Sequence, residues 1–308
     1  METIFYYFDR SKKLGRSVAR LINQSTVHVG KVDVSVFNDS ETKVVALDDV
    51  ADKRVFILYS STPPVNDSIM RLLVFVDGLK RGGAREIILI ASYLGYSRQD
   101  RQGHPNDPIT LKLVTSLLKE SGVDRIYRFD PHSEYPTDYF SLPVISVTTE
   151  QLFADYFDAK LNRLGISLTN LVILSPDHGA VNRGRALQKH LPSTGFASVT
   201  KKRIGVDKIK TLFFEGDVRG KHVLIFDDIA SSGETIVEAV ALARNRGAKK
   251  VYVAVSHPVF SSQSSEIFYH LKLNDLVVTD SIENPLAKGT HVINIAPLVA
   301  HIINQEIN

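Results

Sequence analysis

Two adjacent aspartates and a short hydroxyl-rich loop carry the strongest chemical signal in this chain. Asp227 and Asp228 end an apolar, β-branched run, and a helical pattern of apolar residues begins soon after them. The intervening loop offers hydroxyls and a glycine, at Ser231, Ser232, Gly233 and Thr235. Such a loop at a helix N-terminus suits a phosphate group, because successive backbone amides point into one concavity. Since the aspartates can accept hydrogen bonds from the vicinal hydroxyls of a sugar, the segment predicts a ribose 5-phosphate site, with simple helix capping as the alternative.

A second polar segment follows an apolar run in the first half of the chain. Residues 86–93 read as a strand, and Arg98, Gln99 and Arg101 come directly after it. Ligands of open α/β sheets gather at the carboxyl ends of strands. The two arginines could clamp a polyphosphate, and Gln99 could bond to a base or a ribose. By residue type alone, a solvated surface loop is an equally good interpretation.

The elements that must position these residues alternate between strand and helix. The apolar patterns predict strands over 4–8, 32–37, 55–59, 86–93 and 125–129, and helices over 12–22 and 65–79. The alternation restarts near residue 148, with a helix over 152–164, strands over 171–174 and 223–226, and a last helix over 295–303. Alternation of this kind predicts parallel, doubly wound sheets in two α/β domains.

Composition narrows the class of protein. A length of 308 residues favours two domains, and a net charge of +3 gives no reason to expect nucleic acid or an anionic membrane as a partner. The absence of cysteine excludes disulfides, thiolate metal sites and a cysteine nucleophile. No apolar run reaches the roughly 18 residues of a membrane span, and the N-terminus lacks the charge order of a secretory signal. We expect a cytoplasmic protein.

Several motifs together resemble the ribose-phosphate pyrophosphokinase family, also called phosphoribosyl pyrophosphate synthetases, over essentially the full chain. Residues 96–101 match the family's Tyr-Ala-Arg-Gln-Asp-Arg, residues 37–41 match its Phe-Ser-Asp-Gly-Glu, and residues 175–183 match its Ser-Pro-Asp-x-Gly-x-x-x-Arg. The aspartate pair and its loop match the ribose-phosphate loop of the wider phosphoribosyltransferase superfamily. The loop departs from the family pattern by an anionic residue, Glu234, so the predicted site requires that this side chain point outward.

The resemblance implies a fold and a division of labour. It implies an α/β protein with two phosphoribosyltransferase-like domains, each a mostly parallel sheet flanked by helices. Residues 1–147 plus 292–308 would form an N-terminal ATP-binding domain. Residues 148–291 would form a C-terminal ribose-phosphate-binding domain.

The resemblance also implies roles for individual residues. Arg98, Gln99 and Arg101 would bind ATP, while a neighbouring subunit would contribute Phe37, Asp39 and Glu41 to the same nucleotide. A shared site implies a homo-oligomer, from dimer to hexamer. His132 and Asp177 would lie near the catalytic Mg²⁺, although either residue alone is as easily explained by packing or capping.

A basic triplet at residues 201–203 ends another predicted strand before a mobile arm that leads to Asp217. Such triplets usually form solvated faces. The family has its catalytic Lys-Arg-Arg here, which assigns catalysis to Lys201 and Arg203. The implied reaction transfers the pyrophosphoryl group of Mg-ATP to the C1 hydroxyl of ribose 5-phosphate, giving phosphoribosyl pyrophosphate and AMP. The alternatives are the same chemistry on another ribose phosphate, such as ADP-ribose, and a catalytically silent regulatory paralogue.

The resemblance fails in one segment that bears on regulation. Where the family has a Gln-containing stretch that helps build an allosteric site for ADP and phosphate, this chain has Glu134, Tyr135 and residues 136–138. An arginine of the same site aligns with Ala51, and residue 308 comes soon after the last helix. We expect regulation through that site to be weak or absent.

Overall fold

A computed structural model describes residues 1–135, 139–204 and 209–307, and the side chains at all of these positions except 9, 201–204, 209–212 and 262. The chain divides into two compact units. The first unit comprises Met1–Val147, Ser281–Glu283 and Asn294–Asn308, and the second comprises Thr148–Asp280 and Asn284–Ile293.

The first unit is built on a parallel six-stranded sheet. Its strands, with those of a small hairpin, are β1 Thr3–Tyr7, β2 Val27–Val29, β3 Val32–Val36, β4 Thr42–Ala46, β5 Arg54–Ser60, β6 Glu86–Tyr93, β7 Arg125–Phe129 and β8 Val144–Val147. The sheet order is β2-β1-β5-β6-β7-β8. Its helices are α1 Lys12–Ala19, α2 Val65–Arg81, α3 Thr110–Ser121 and the C-terminal α8 Ala296–Ile307. The strands β5 and β6 are almost entirely buried, as expected for central parallel strands with apolar runs.

The hairpin of β3 and β4 forms a separate two-stranded antiparallel sheet. Its apolar side chains are largely exposed, with Val36 at 54%, Phe37 at 53% and Leu47 at 63%. The sequence predicts the first strand and the following turn, but not their separation from the main sheet.

The second unit contains a seven-stranded sheet that is parallel except at one edge. Its strands are β9 Leu171–Ser175, β10 Gly195–Ile204, β11 Ile209–Glu215, β12 His222–Ala230, β13 Lys250–Pro258, β14 Asp275–Thr279 and β15 His291–Ile293, in the order β11-β10-β9-β12-β13-β14-β15. Only β10 and β11 pair antiparallel among these strands. Its helices are α4 Glu150–Arg163, α5 Val181–His190, α6 Glu234–Asn245 and α7 Ser262–His270.

Helices cover both faces of this second sheet. Alternate residues of β12 enter different buried clusters, with Val223 on the side of α6 and Leu224 on the side of α4 and α5. A strand that is buried on both faces is typically rich in apolar residues, which explains the continuous apolar run before the aspartates.

One predicted strand boundary is wrong at the aspartate pair. The sequence places Asp227 and Asp228 after the end of a strand, whereas β12 continues through them to Ala230. The extension forms because Ile229 and Ala230 still pair in parallel with β13. Both aspartates are therefore buried strand residues.

The arm after the basic triplet is flanked by two paired strands. The strands β10 and β11 form a long antiparallel ladder in which Lys201 lies opposite Leu212 and Arg203 opposite Lys210. Residues 205–208, at the centre of the predicted mobile arm, lie outside the described residues.

The unit boundaries differ from the predicted domains at two short segments. Residues 281–283 fall in the first unit, because the hydroxyls of Ser60 and Ser92 donate to the carbonyl of Ser281 at 3.0 and 2.8 Å. Residues 292–293 fall in the second unit, because β15 extends the sheet beside β14. The roles assigned to the two domains stay predictions.

Within the described ranges, no helix is both long enough and apolar enough to cross a membrane.

Candidate functional site

The aspartate pair of the second unit is bridged by one guanidinium. Nη1 of Arg183, in the first turn of α5, lies 3.0 Å from Oδ1 of Asp227 and 3.1 Å from Oδ1 of Asp228. The backbone amide of Asp228 also donates to Oδ1 of Asp227 at 2.9 Å. All three side chains are largely buried. One arginine thus faces two carboxylates, which leaves this cluster with an excess negative charge.

This arrangement perturbs the protonation of Asp227. Burial and the negative charge of Asp228 raise the pKa of Asp227 well above its ordinary value, and Arg183 opposes the shift. Asp177 also contributes to raising this pKa, so it lies within electrostatic range of the pair. Hydrogen-bond donors such as sugar hydroxyls would favour the ionised form of the carboxylate.

The loop after β12 has the backbone geometry of a helix entrance. Gly233 precedes α6 with φ +82, and a Cβ at this position would lie 2.7 Å from the ring of Phe268. Glycine is therefore required here both by conformation and by space. Ser231 and Thr235 are half-buried, and Ser232 is exposed. The predicted phosphate-binding residues thus surround a helix N-terminus, where backbone amides lack intrahelical partners.

Glu234 is exposed at the first position of α6. Exposure of this side chain agrees with the outward orientation that the phosphate site requires, and the site itself stays a prediction. A carboxylate in the first turn also interacts favourably with the helix dipole.

Asp177 lies just beyond β9, the strand that neighbours β12. Its Oδ1 accepts from the amide of Ala180 at 3.1 Å, so the residue does cap the turn into α5. The second unit brings Asp177, Arg183, Asp227 and Asp228 together at the carboxyl edge of two adjacent parallel strands. The sequence supplies Arg183 only as part of a motif and does not predict its contact with both aspartates.

The predicted catalytic residues are described only through their backbone. Positions 201 and 203 are two residues apart in the extended strand β10 and so fall on the same face of its ladder with β11. The side chains of Lys201 and Arg203 lie outside the described residues, and their catalytic role stays a prediction.

In the first unit, the predicted ATP-binding loop leaves the carboxyl end of β6. Arg98, Gln99 and Arg101 are all exposed. Gln99 is tied to the start of α3, because its Oε1 accepts from the hydroxyl of Thr110 at 2.8 Å and its carbonyl accepts from the amide of Leu111 at 3.0 Å. The side chains of Arg98 and Arg101 are thus exposed on a loop that Gln99 ties to α3.

Asp100, inside this loop, is only 3% exposed. Its carbonyl accepts hydrogen bonds from the hydroxyls of Tyr139, at 2.6 Å, and Tyr135, at 3.3 Å. The two tyrosine rings stack with their centroids 4.1 Å apart. Tyr135 and Tyr139 therefore hold the ATP-binding loop in position through the carbonyl of Asp100, a role that the sequence does not predict. Residues 136–138 between them lie outside the described residues, so the expected loss of allosteric regulation stays a prediction.

The carboxylate of Asp100 lies within electrostatic range of the imidazole of His132. Burial alone would raise the pKa of Asp100, but the hydroxyls of Tyr135 and Ser133 and the charge of His132 hold it below its ordinary value. His132, which follows β7, is half-buried. This electrostatic contact places His132 close to the ATP-binding loop of its own unit.

Phe37, Asp39 and Glu41 lie at the tip of the β3–β4 hairpin and are exposed. The turn is closed by a bond of 2.8 Å from the amide of Phe37 to the carbonyl of Glu41, and Oδ1 of Asp39 accepts from the amide of Glu41 at 3.1 Å. Within the described ranges, none of the three forms a hydrogen bond with Arg98, Gln99 or Arg101.

Fold and site together define a class: an α/β protein in which one sheet ends in a basic loop and the other in an acidic, hydroxyl-rich loop, both at the carboxyl ends of strands, where open α/β sheets bind their ligands. Residues 4–122 match the model of the N-terminal domain of ribose phosphate pyrophosphokinase, and residues 191–307 match that of the phosphoribosyl synthetase-associated domain. The chain belongs to the ribose-phosphate pyrophosphokinase family, as the sequence predicts.

Individual relatives match over nearly the whole chain. A ribose-phosphate pyrophosphokinase of Bacillus caldolyticus is 33% identical over 97% of this chain and 93% of its own length. Ribose-phosphate pyrophosphokinase 1 of Streptococcus pyogenes serotype M3 is 36% identical over 95% of this chain and 91% of its own length. The crystal structure of phosphoribosylpyrophosphate synthetase from Mycobacterium smegmatis superposes with a TM-score of 0.89 and 28% identity, covering 100% of this chain and 99% of that one. The predicted fold class is confirmed.

Proposed function

We propose that this enzyme transfers the pyrophosphoryl group of Mg-ATP to the C1 hydroxyl of ribose 5-phosphate, forming phosphoribosyl pyrophosphate and AMP. The observation that carries the proposal is the continuity of β12 and α6. The buried pair Asp227 and Asp228 leads within a few residues into the glycine-capped start of a helix. On this proposal the segment that binds the diol lies beside the one that binds the phosphate, which supports ribose 5-phosphate as the acceptor.

On this proposal, each part of the segment recognises one part of the acceptor. The carboxylates accept hydrogen bonds from the two ribose hydroxyls, and Arg183 keeps them oriented and partly neutralised. The amides at the start of α6, with the hydroxyls of Ser231, Ser232 and Thr235, hold the 5-phosphate. The C1 hydroxyl then faces away from the phosphate loop.

The nucleotide is held by the first unit. Arg98 and Arg101 bind the polyphosphate through charge-assisted hydrogen bonds, and Gln99 contacts the nucleoside. Phe37, Asp39 and Glu41 contact the ATP of a second copy of the chain. The exposed apolar side chains of the hairpin support this sharing, because a surface of this kind is typical of an interface. The protein would then be a homo-oligomer, in a cytoplasmic location that also stays a prediction.

Among the described residues, no three His, Cys, Asp or Glu side chains cluster into a metal site, so a magnesium ion would arrive with ATP. Mg²⁺ prefers oxygen ligands, keeps several waters and commonly binds through one or two carboxylates plus substrate phosphates. Asp177 uses Oδ1 for its own turn, while Oδ2 of buried Asp100, near His132, has no hydrogen-bond partner among the described residues. His132 and Asp177 would hold the hydrated ion. When bound, it neutralises phosphate charge and polarises the β-phosphorus.

The chain's own contribution to the reaction is alignment and charge stabilisation. Phosphoryl-type transfers need the attacking and leaving oxygens in line, and they need positive charge around the transferred group. Lys201 and Arg203 supply that charge at the β-phosphorus and at the leaving AMP. No covalent enzyme intermediate is required.

The sequence of the phosphate loop supports a second candidate for the acceptor substrate. The loop reads Ser231, Ser232, Gly233, Glu234 and Thr235 rather than the family pattern. A changed phosphate loop could accept a larger ribose phosphate, such as ADP-ribose, with the same chemistry.

The test is AMP release from Mg-ATP by the purified protein, with ribose 5-phosphate and ADP-ribose as separate acceptors. Robust AMP release with ribose 5-phosphate, lost by orders of magnitude in Lys201→Ala and kept in Lys249→Ala, supports the proposal. Lys249 is an exposed residue distant in sequence from the arm, which makes it a matched control. AMP release only with ADP-ribose moves the function to that acceptor. Release with neither acceptor contradicts the enzymatic proposal and favours a regulatory paralogue.

A further inference from the structure

A small polar cavity lies in the first unit, and none of its lining residues is a predicted site residue. It opens where β1 and β5 end and where α2 begins, and it has a volume of about 50 Å³. Its polar lining includes Arg10, Ser11, Tyr59, Asp67, Ser68 and Arg71. We refer to it as the Arg71 cavity. The space suffices for a small polyatomic ion, but not for a nucleotide or a sugar phosphate.

Two hydrogen-bond donors that line the cavity have no partner among the described residues. Ser11 is only 3% exposed, and its hydroxyl is buried and unpaired. Nε of Arg71 is likewise buried and unpaired. A buried donor without a partner is costly, so it points to a water or an ion that completes it. Both groups therefore lack a hydrogen-bond acceptor.

The charges of the lining favour an anion. Arg10 and Arg71 contribute two positive charges, and Asp67 contributes one negative charge, which leaves an excess of one positive charge. Burial raises the pKa of Tyr59 to about 12, although Arg71 and Arg10 oppose the shift, so this phenol stays neutral at physiological pH. Its hydroxyl lies 2.7 Å from that of Ser68. The hydroxyl of Tyr59 donates to the carbonyl of Ser68, so an anion would find its donors in the two arginines and in Ser11.

The cations are held in different ways. Nη1 of Arg10 donates to the hydroxyl of Thr62 at 3.3 Å and to the carbonyl of Pro63, which anchors its guanidinium to the loop after β5. Arg71 is carried by α2, whose Leu72 belongs to the buried core. A small anion between the two would bridge the loop that follows β1 to the first turns of α2.

We propose that the Arg71 cavity binds one tetrahedral oxyanion of the phosphate type. The anion accepts hydrogen bonds from Nε of Arg71 and from Oγ of Ser11. Arg10, in the loop that follows β1, adds a second positive charge. The site is separate from the ribose-phosphate loop, and its existence does not depend on the activity proposed above. Occupancy stabilises the first unit, because it gives two buried donors their acceptor.

The first experiment measures phosphate binding by the full-length protein and by Arg71→Met. Thermal unfolding is followed against inorganic phosphate at constant ionic strength, with chloride as the exchanged salt. We expect phosphate to protect the wild type with an affinity that falls about tenfold or more in Arg71→Met, because a charge-assisted hydrogen bond is lost. Arg81→Met is the matched control, since Arg81 is exposed on the same helix and pairs with Asp77 outside the cavity.

Two further variants separate binding from damage to the fold. Ser11→Ala removes one donor with almost no change in volume and should also weaken phosphate binding. Asp67→Asn should strengthen it, because the excess positive charge of the lining rises from one to two. Phosphate bound by the ribose-phosphate loop contributes equally to all of these proteins and cancels in the comparison.

Direct evidence comes from crystals soaked in selenate, a tetrahedral oxyanion with a strong anomalous signal. A peak in the Arg71 cavity of the wild type that is absent from Arg71→Met confirms the site. The proposal is overturned by equal phosphate protection in wild type and Arg71→Met, by equal protection with chloride, or by a cavity filled with water alone or with a carboxylate from a second copy.

Discussion

Burial and the neighbouring Asp228 make the negative charge of Asp227 unfavourable in the folded protein. The pKa of Asp227 lies above the ordinary value of 3.8, so the folded protein holds the proton to a higher pH than the unfolded chain does. As the pH rises from about 3.8 towards the folded-state pKa, the unfolded chain releases its proton first, and the free energy of unfolding falls. The cost of Asp227 to stability at neutral pH is what we expect of a residue whose role is to bind a ligand.

We therefore predict that Asp227→Asn raises the free energy of unfolding at pH 7 and weakens ribose 5-phosphate binding. The gain in stability should shrink as the pH falls towards 4, because wild-type Asp227 becomes protonated. Urea unfolding between pH 4 and 8 measures the first effect, and the KM for ribose 5-phosphate measures the second. Asp155→Asn, at an exposed position of α4, should show neither effect. A variant that is less stable than wild type at pH 7 would contradict the prediction.

Arg183 should have the opposite influence on stability. Arg183→Met leaves two buried carboxylates without their shared partner, and removing one member of a buried ion pair commonly costs about 3–5 kcal/mol. We expect a loss of that order in urea unfolding at pH 7. Combining it with Asp227→Asn should recover part of the loss, because one of the two facing charges is gone. Strictly additive effects of the two substitutions would show that the contact carries no coupling energy.

At the scale of elements, the entrance to α6 depends on a single glycine. Gly233→Ala must place a Cβ against Phe268 and adopt φ near +82, so we expect a loss of about 1–3 kcal/mol in stability and a large rise in the KM for ribose 5-phosphate. Gly78→Ala is the informative control. Gly78 lies inside α2, where an added Cβ would have nothing within 4 Å, so alanine there should stabilise the protein by about 0.5–1 kcal/mol. Equal effects of the two substitutions would refute this view of the loop.

The ATP-binding loop should depend on the tyrosines beneath it. Tyr139→Phe removes the shorter of the two hydrogen bonds to the carbonyl of Asp100, worth about 0.5–1.5 kcal/mol. We expect the KM for ATP to rise several-fold, with kcat and the KM for ribose 5-phosphate nearly unchanged, since the loop loses order but no binding group. Steady-state kinetics with each substrate varied in turn measure the difference. Tyr269→Phe, at an exposed position of α7, should behave as wild type. A change in kcat alone would argue against a positioning role.

The elements show what sequence patterns can and cannot predict. The strands over 86–93 and 125–129 are predicted with their observed bounds. The first contains the continuous apolar run 87–91, and the second carries Ile126, Tyr127 and Phe129 between aspartates at 124 and 130. The end of β12 is predicted too early, because a pattern of apolar residues stops at the first charge. Arg183, which reaches Asp227 and Asp228 from another element, offsets part of the cost of burying them.

The same limit applies to the site. Residue types and spacing predict a ribose-phosphate loop because its aspartates, hydroxyls and glycine are close together in the sequence, and its role stays a prediction. The support of Asp100 by Tyr135 and Tyr139 joins residues far apart in the sequence, and it depends on packing that no local pattern records.

At the scale of the whole molecule, the proposed sharing of the ATP site between copies has a sharp consequence. Phe37→Ala should impair the hairpin that each chain contributes to the ATP site of its neighbour. Lys201→Ala should impair the catalytic arm that each chain contributes to its own site. Each variant alone should release little AMP. In oligomers assembled from equal amounts of both, about a quarter of the sites combine an intact hairpin from one chain with an intact arm from the other. Activity should therefore return to about a quarter of the wild-type rate. Mixtures no more active than the mean of the two variants would place the whole ATP site within one chain.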